Sequence, residues 1–148
     1  FVENPLMVET YQSHGVSFEY PDDWEITEQQ DAQEVTITVQ SPETSFWLLT
    51  VFFDRPDPEK IAEAALDAFR QEYDDLDIYE GDDNICDENA VAWDLEFRAM
   101  EVYNSAWVRT FQTDLFSALV LYQANDLELE ETADTMRGMT RSLGYYYE

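Results

Sequence analysis

Cysteine and histidine are nearly absent from the 148-residue sequence, and their scarcity excludes several classes of site. Cys86 is the only cysteine, so the chain cannot form an internal disulfide or a metal site built on clustered cysteines. Its acidic neighbours raise the pKa of a thiol, which favours a half-buried structural Cys86 over a nucleophile. His14 is the only histidine, and no G-x-S-x-G motif accompanies it, so we interpret it as a turn residue rather than a catalytic base.

Basic side chains are scarce too: there are seven, and Lys60 is the only lysine, against 34 aspartates and glutamates. The formal net charge of −27 opposes binding to nucleic acid and docking on anionic lipid, because both depend on lysine and arginine. We expect such a chain in a saline environment, where the Debye length falls from about 10 Å at 0.1 M salt to about 3 Å at 1 M. An acidic protein that merely stays soluble is the alternative.

Long apolar runs are also missing, since no run approaches the roughly 18 residues of a membrane span and no signal-like segment is present. The first residue is Phe1 rather than methionine, so we expect a processed or trimmed chain, with any leader removed. Apolar residues nevertheless make up 45% of the chain, which is enough for a packed core. The length predicts a single domain over residues 8–148, after an N-terminal arm of residues 1–7.

The hydrophobic patterns predict an α+β fold. Residues 35–39 alternate apolar and polar side chains, whereas residues 45–53 are apolar on both faces and predict a central strand covered on both sides. Asp57 and Pro58 begin one predicted helix, and a second starts in a capping box at Asn125. We predict the order β-β, β-β, α, β-β-β-β, α, with Tyr103-Asn104-Ser105 as one turn. The expected architecture is an antiparallel sheet flanked by helices on both faces.

The stretch HGVSFEYPDDWEI, residues 14–26, predicts the entrance to this sheet. Gly15 can supply the positive φ of a tight hairpin, and Pro21 ends the strand pairing because it has no N–H. Phe18 and Trp24 are expected in the core. Gly15, Phe18, Tyr20, Pro21 and Trp24 together resemble the G-[FV]-x-F-x-Y-P-x-x-W entrance of the PsbP-like proteins, which include the photosystem II PsbP subunit and the bacterial DcrB-type proteins.

The resemblance implies a PsbP-like sandwich that acts as a non-enzymatic accessory or protein-interaction domain, often outside the cytoplasm. The family has no shared catalytic residues to carry over. We therefore expect no cofactor, a protein partner, no nucleic acid and an extracytoplasmic location; the partner's identity and the oligomeric state stay open. The terminal Tyr145, Tyr146 and Tyr147 are expected to pack beside their own sheet, with a partner anchor as the alternative.

Two other functions are kept as alternatives. A calcium-dependent binding module would use the acidic residues 74–88, whose candidate oxygen ligands are Asp82, Asp83, Asn84 and Asp87, although the spacing does not fit an EF-hand. A carboxylate-based hydrolase would use two acids at a defined separation. With 34 acids in the chain, some pair meets any separation by chance, so this second signal carries little weight.

Overall fold

A computed structural model describes residues 7–147, in which ten strands and two helices form an α+β fold with antiparallel sheets. The predicted arm, residues 1–7, lies outside these residues apart from Met7. The elements, in chain order, are β1 (Val8–Ser13), β2 (Val16–Pro21), β3 (Glu25–Gln30), β4 (Glu34–Gln40), β5 (Phe46–Phe52), α1 (Pro58–Glu72), β6 (Leu76–Ile85), β7 (Glu88–Ala99), β8 (Val102–Gln112), β9 (Ser117–Asn125), α2 (Leu129–Ser142) and β10 (Gly144–Tyr145).

The larger sheet has seven strands in the order β3-β4-β5-β9-β8-β7-β6. The strand predicted to be central, β5, lies between β4 and β9 and pairs with both. Trp47, Leu49 and Val51 on this strand are fully buried, which agrees with its apolar pattern. The prediction missed β3, an exposed edge strand whose sequence EITEQQ offers only Ile26 as an apolar residue.

A second, three-stranded sheet has the order β1-β2-β10, whereas the sequence predicted one sheet only. The short strand β10 pairs with β2 through Gly144 and Tyr145, and the Tyr146 N–H donates to the Gly15 carbonyl oxygen. The Tyr145 ring packs edge-on against Phe116, with 5.6 Å between ring centroids. The prediction that the terminal tyrosines pack beside their own sheet is therefore confirmed for Tyr145.

The buried side chains form two hydrophobic clusters, and neighbouring residues of strand β9 contribute to different clusters. Val120 and Tyr122 on β9 belong to a large cluster that includes Met136 and Met139 of α2. The intervening Leu121 packs against a smaller cluster that includes Leu66 of α1 together with Leu95, Phe97, Ala106 and Val108. Alternate β9 side chains therefore belong to different cores, one containing residues of each helix.

Of the two predicted helix starts, that of α1 is confirmed and that of α2 is wrong. The Asp57 side chain accepts a hydrogen bond from the Glu59 N–H, and Pro58 is the first residue of α1, so both predictions are confirmed. The capping box at Asn125 is wrong, since α2 begins at Leu129 and its N-cap residue is Glu128. Asn125 instead accepts hydrogen bonds from the N–H groups of Leu127 and Glu128 in the preceding turn.

The entrance motif has the structural role that the sequence indicated. His14 and Gly15 form the β1–β2 turn with φ of 55° and 81°. Phe18 is 1% exposed and Trp24 is 8% exposed, so both are core residues as predicted. Pro21 ends β2, and its carbonyl oxygen accepts a hydrogen bond from the Trp24 N–H. Among residues 7–147, no helix has the length and apolar character that crossing a membrane requires.

Candidate functional site

His14 takes part in a polar contact between the two sheets. Its Nε2 lies 2.8 Å from Glu28 Oε1 on β3, and the Tyr11 hydroxyl donates to Glu28 Oε2 at 2.7 Å. The hydrogen bond from Tyr11, and then that from His14, lowers the pKa of the Glu28 carboxyl. Burial and the same bond to Glu28 raise the pKa of Tyr11. The contact joins the β1–β2 hairpin to the edge of the larger sheet, which is a structural role.

This contact predicts a small, pH-dependent effect of Glu28→Gln on stability. Because the pKa of Glu28 is lowered on folding, its ionised form stabilises the fold above the unfolded-state pKa of about 4.3, and this is lost as pH falls through the folded-state value. The urea midpoint of Glu28→Gln should lie below that of the parent at about pH 7 and approach it at about pH 3. Glu25→Gln on the same exposed strand removes the same charge and is the control. A midpoint difference that does not change with pH would contradict this role.

Cys86 lies in the two-residue turn between β6 and β7 and is half-buried, as predicted. Its thiol donates to the Leu143 carbonyl oxygen at 3.3 Å. Burial, followed by the charges of Asp87 and Glu88, raises its pKa to about 11. A thiol with this pKa is almost entirely protonated at neutral pH, which fits a structural residue.

The raised pKa of Cys86 predicts slow alkylation. Compared with a free thiol of pKa about 8.5, the thiolate fraction at about pH 8 falls by roughly two orders of magnitude. Iodoacetamide labelling followed by mass spectrometry should show this slowing in the folded chain and a normal rate in urea. A folded-state rate equal to that in urea would mean that the thiol is reactive.

The four candidate cation ligands lie on the β6–β7 hairpin, where the structure does not bring them together. The sequence predicted an acidic turn, but β6 continues through Ile85 and only Cys86 and Asp87 form the turn. Successive strand residues point to opposite faces, so Asp83 is directed away from Asp82 and Asn84. Asp83 contacts Arg109, with 2.8 Å between Oδ2 and Nε. Among residues 7–147, no three His, Cys, Asp or Glu side chains are grouped to hold a metal ion.

One open concavity of about 460 Å³ has an acidic lining. Four carboxylates, those of Asp74, Asp75, Asp77 and Glu96, surround it beside the sheet edge formed by β6. Arg98 lies over the Tyr103 ring at 5.0 Å on the same side. With 34 acids in the chain, an acidic hollow of this kind is expected on a solvated face, and the geometry assigns it no role.

An apolar groove stands out against this acidic surface. It is a shallow concavity of about 440 Å³ between α1 and the β5–β9 pair. No carboxylate lines it; Lys60 is its one charged residue, and the others are Phe52, Pro56, Ile61, Ala64, Ala65 and Leu119. We call these seven residues the apolar groove. Three acids lie around it: Glu34 pairs with Phe52 across the sheet, Asp54 follows β5, and Asp57 caps α1.

The sequence predictions missed this groove, although part of its signal was present. Phe52 belongs to the strand that is apolar on both faces, and Ile61 and Ala65 belong to the apolar stripe of α1. Each residue was assigned to the core. The sequence could not show that Ala64 is exposed, or that Leu119 approaches it from a strand more than fifty residues later.

The fold is similar to that of several solved structures, although no protein-family model and no curated protein matches the sequence. The solution structure of cyanobacterial PsbP (CyanoP) from Synechocystis sp. PCC 6803 has a TM-score of 0.59 at 11% identity, covering 97% of this chain and 95% of that one. LpqN, involved in cell envelope biogenesis of Mycobacterium tuberculosis, has a TM-score of 0.55 at 11% identity, covering 97% and 93%.

A structure from Bacteroides thetaiotaomicron has a TM-score of 0.57 at 12% identity; the match covers 90% of this chain and only 46% of that one. At these identities the likeness concerns the fold alone. The resemblance first carried by Gly15, Phe18, Tyr20, Pro21 and Trp24 is confirmed at that level: the chain has the PsbP-like fold.

Proposed function

We propose that this chain is a non-enzymatic accessory domain that binds, in its apolar groove, an apolar segment of another protein flanked by basic residues. We also propose a layered architecture, in which α1 and α2 cover opposite faces of the seven-stranded sheet. The alternation of β9 side chains between the two hydrophobic clusters supports this layering. In this architecture the apolar groove lies at the edge of the sheet area that α1 covers, next to β5.

The observation that carries the proposal is an apolar concavity without carboxylates on a chain of net charge −27. Burying Phe52, Ala64 and Leu119 against apolar side chains would stabilise a complex by about 25 cal/mol for each square ångström removed from water. This stabilisation does not weaken in concentrated salt, unlike contacts between exposed charges.

The charges around the groove support a basic-flanked partner. Glu34, Asp54 and Asp57 would face the ends of a bound segment, and complementary charges there favour arginine or lysine over acidic residues. Such charges chiefly raise the rate of association and the specificity, while the apolar contact holds the complex. We also propose an extracytoplasmic location, which the envelope role named for the LpqN neighbour supports.

Fluorescence anisotropy with labelled synthetic peptides tests the proposal. The first peptide carries leucine and phenylalanine anchors flanked by arginines, and the second carries the same anchors flanked by aspartates. We expect saturable binding of the first and at least tenfold weaker binding of the second. Ala64→Glu, which places a carboxylate in the groove, should weaken binding of the first peptide by about tenfold or more, since buried unpaired charge is costly.

Ala68→Glu is the matched control, because it makes the same change on the same exposed side of α1, one turn beyond the groove. It should leave the affinity nearly unchanged. Equal weakening by both variants would mean that the peptide follows overall charge rather than the groove. Absence of saturable binding by the arginine-flanked peptide would also overturn the proposal.

A further inference from the structure

Arginines converge on one small cavity outside the apolar groove. Three of the six arginines in the chain, Arg109, Arg137 and Arg141, line a cavity of about 90 Å³ between β6, β8, β9 and α2. They come from a strand and from two turns of a helix, so only the fold brings them together. The chain has 34 acidic and only seven basic residues, so its composition would place acids rather than three arginines around a surface cavity.

Arg109 is the fixed part of this cavity. Its side chain is 8% exposed, and Nε and Nη1 lie 2.8 Å from Asp83 and Asp94, respectively. Nη1 also donates to the carbonyl oxygens of Trp93 and Val108. The two carboxylates balance the buried charge of Arg109. Arg109 therefore contributes a fixed part of the cavity surface and little of the attraction for an anion.

Arg137 is held in place by an aromatic stack. Its guanidinium lies 5.5 Å from the centre of the Trp107 ring, and Trp107 stacks on Tyr122 with 4.9 Å between ring centroids. An ion pair of 2.9 Å joins its Nη1 to the exposed Asp134. A guanidinium stacked in this way still has further N–H groups to donate in its plane.

Two donors at the cavity have no hydrogen-bond or ion-pair partner among residues 7–147. Tyr122 is only 2% exposed and lines the cavity, yet none of the hydrogen bonds among residues 7–147 uses its hydroxyl. Its hydroxyl oxygen is not among the fully buried polar atoms that lack a partner, so it can donate to a ligand in the cavity. Arg141 is exposed at the cavity, and no carboxylate of the described residues lies within 4.0 Å of it.

We propose that this arginine cavity, formed by Arg109, Arg137, Arg141 and Tyr122, binds a compact phosphate group. Guanidinium groups pair well with phosphate oxygens, and a tetrahedral anion can accept from several donors at once, here those of Arg137, Arg141 and Tyr122. The volume of about 90 Å³ suits one phosphate group and excludes a nucleotide from full burial. This site is separate from the apolar groove and does not depend on the proposed function.

The charge of the whole chain sets the conditions for binding. A net charge of −27 repels a phosphate anion at low ionic strength, whereas contacts within the cavity are screened much less than this long-range repulsion. Phosphate should therefore bind more tightly in about 1 M potassium chloride than in about 0.1 M. A basic patch on a neutral protein would show the opposite trend.

Amide NMR shifts of the labelled chain, titrated with inorganic phosphate at constant pH and ionic strength, test the site. We expect saturable shifts confined to the neighbourhood of Asn84, Tyr122 and residues 137–141. Glycerol phosphate, a phosphate monoester, identifies the source of the phosphate group. If it binds as well as inorganic phosphate, the site takes a phosphate group carried by a larger molecule; if it binds more weakly, the site takes the free anion. Acetate tests whether the site prefers phosphate to a carboxylate. Acetate should bind at least tenfold more weakly than phosphate.

Arg141→Gln and Arg70→Gln form a matched pair, because each removes one exposed arginine from the last turn of a helix. Arg141→Gln should weaken phosphate binding about tenfold, or about 1.4 kcal/mol, while Arg70→Gln leaves it unchanged. Tyr122→Phe, which keeps the stacked ring, should weaken it by removing the hydroxyl donor. Shifts that do not saturate, that map elsewhere, or that respond equally to the two arginine variants would overturn the site.

Discussion

Replacing Phe18 by alanine is expected to lower the free energy of unfolding by about 3–5 kcal/mol, the range of large aromatic truncations in a core. The Phe18 ring stacks on Tyr11 of the same sheet with 5.0 Å between ring centroids, and its centroid lies 4.7 Å from that of Trp47 in the larger sheet. The change therefore removes one contact within the smaller sheet and one between the two sheets. Trp24→Ala, at the other end of the entrance motif, should cost a similar amount because that ring is also buried. Urea unfolding followed by circular dichroism gives both values.

The matched control for Phe18 is Tyr79→Ala. Tyr79 is an aromatic residue on a strand as well, but it is 52% exposed on the edge strand β6. Its truncation should change stability by no more than about 0.5 kcal/mol, as most surface substitutions do. An unchanged urea midpoint for Phe18→Ala would show that the entrance motif does not organise the core.

Stability should rise steadily with salt, from about 0.05 M to about 2 M sodium chloride, because the carboxylates repel one another over long distances. In residues 7–147, six carboxylates lie within 4.0 Å of a basic group: Glu28, Glu63, Asp67, Asp83, Asp94 and Asp134. Most of the 34 acids are therefore without local compensation. Each repulsion between exposed groups is small, about 1 kcal/mol at 4 Å in water, but all have one sign.

Two salts separate the causes of this effect. Sodium chloride tests screening, which removes the long-range repulsion first, and sodium sulfate adds the strengthening of apolar burial by an excluded anion. We expect the urea midpoint to rise in both salts and further in sulfate. A flat midpoint in sodium chloride would mean that the arginines already balance the acids locally, and it would remove the main argument for a saline habitat.

Local patterns in the sequence predicted most of the larger sheet and the start of α1, since these depend on residues that are close in the chain. The alternation in β4, the two-faced β5 and the Asp57-Pro58 start are examples. The sequence patterns did not predict features that depend on residues far apart in the chain. Strand β10 exists only because Gly144 and Tyr145 meet β2, and two residues carry no periodicity.

Turns were misplaced for a related reason. The sequence predicted one at Tyr103-Asn104-Ser105, but these residues belong to β8, and the chain turns at Met100-Glu101 with φ of 53° and 66°. Neither residue is a usual turn former at positive φ, and strand pairing on both sides imposes the conformation. The apolar groove and the arginine cavity were missed in the same way, because each joins residues that are far apart in the sequence.

The most direct test of the proposed function is an amide NMR titration of the labelled chain with the arginine-flanked peptide in about 1 M sodium chloride, where long-range attraction between charges is screened. We predict saturable shifts at Phe52, Ile61, Ala64, Ala65 and Leu119, with residues 8–21 of the smaller sheet unaffected. Shifts spread over the acidic surface, or lost altogether at this salt concentration, would contradict it.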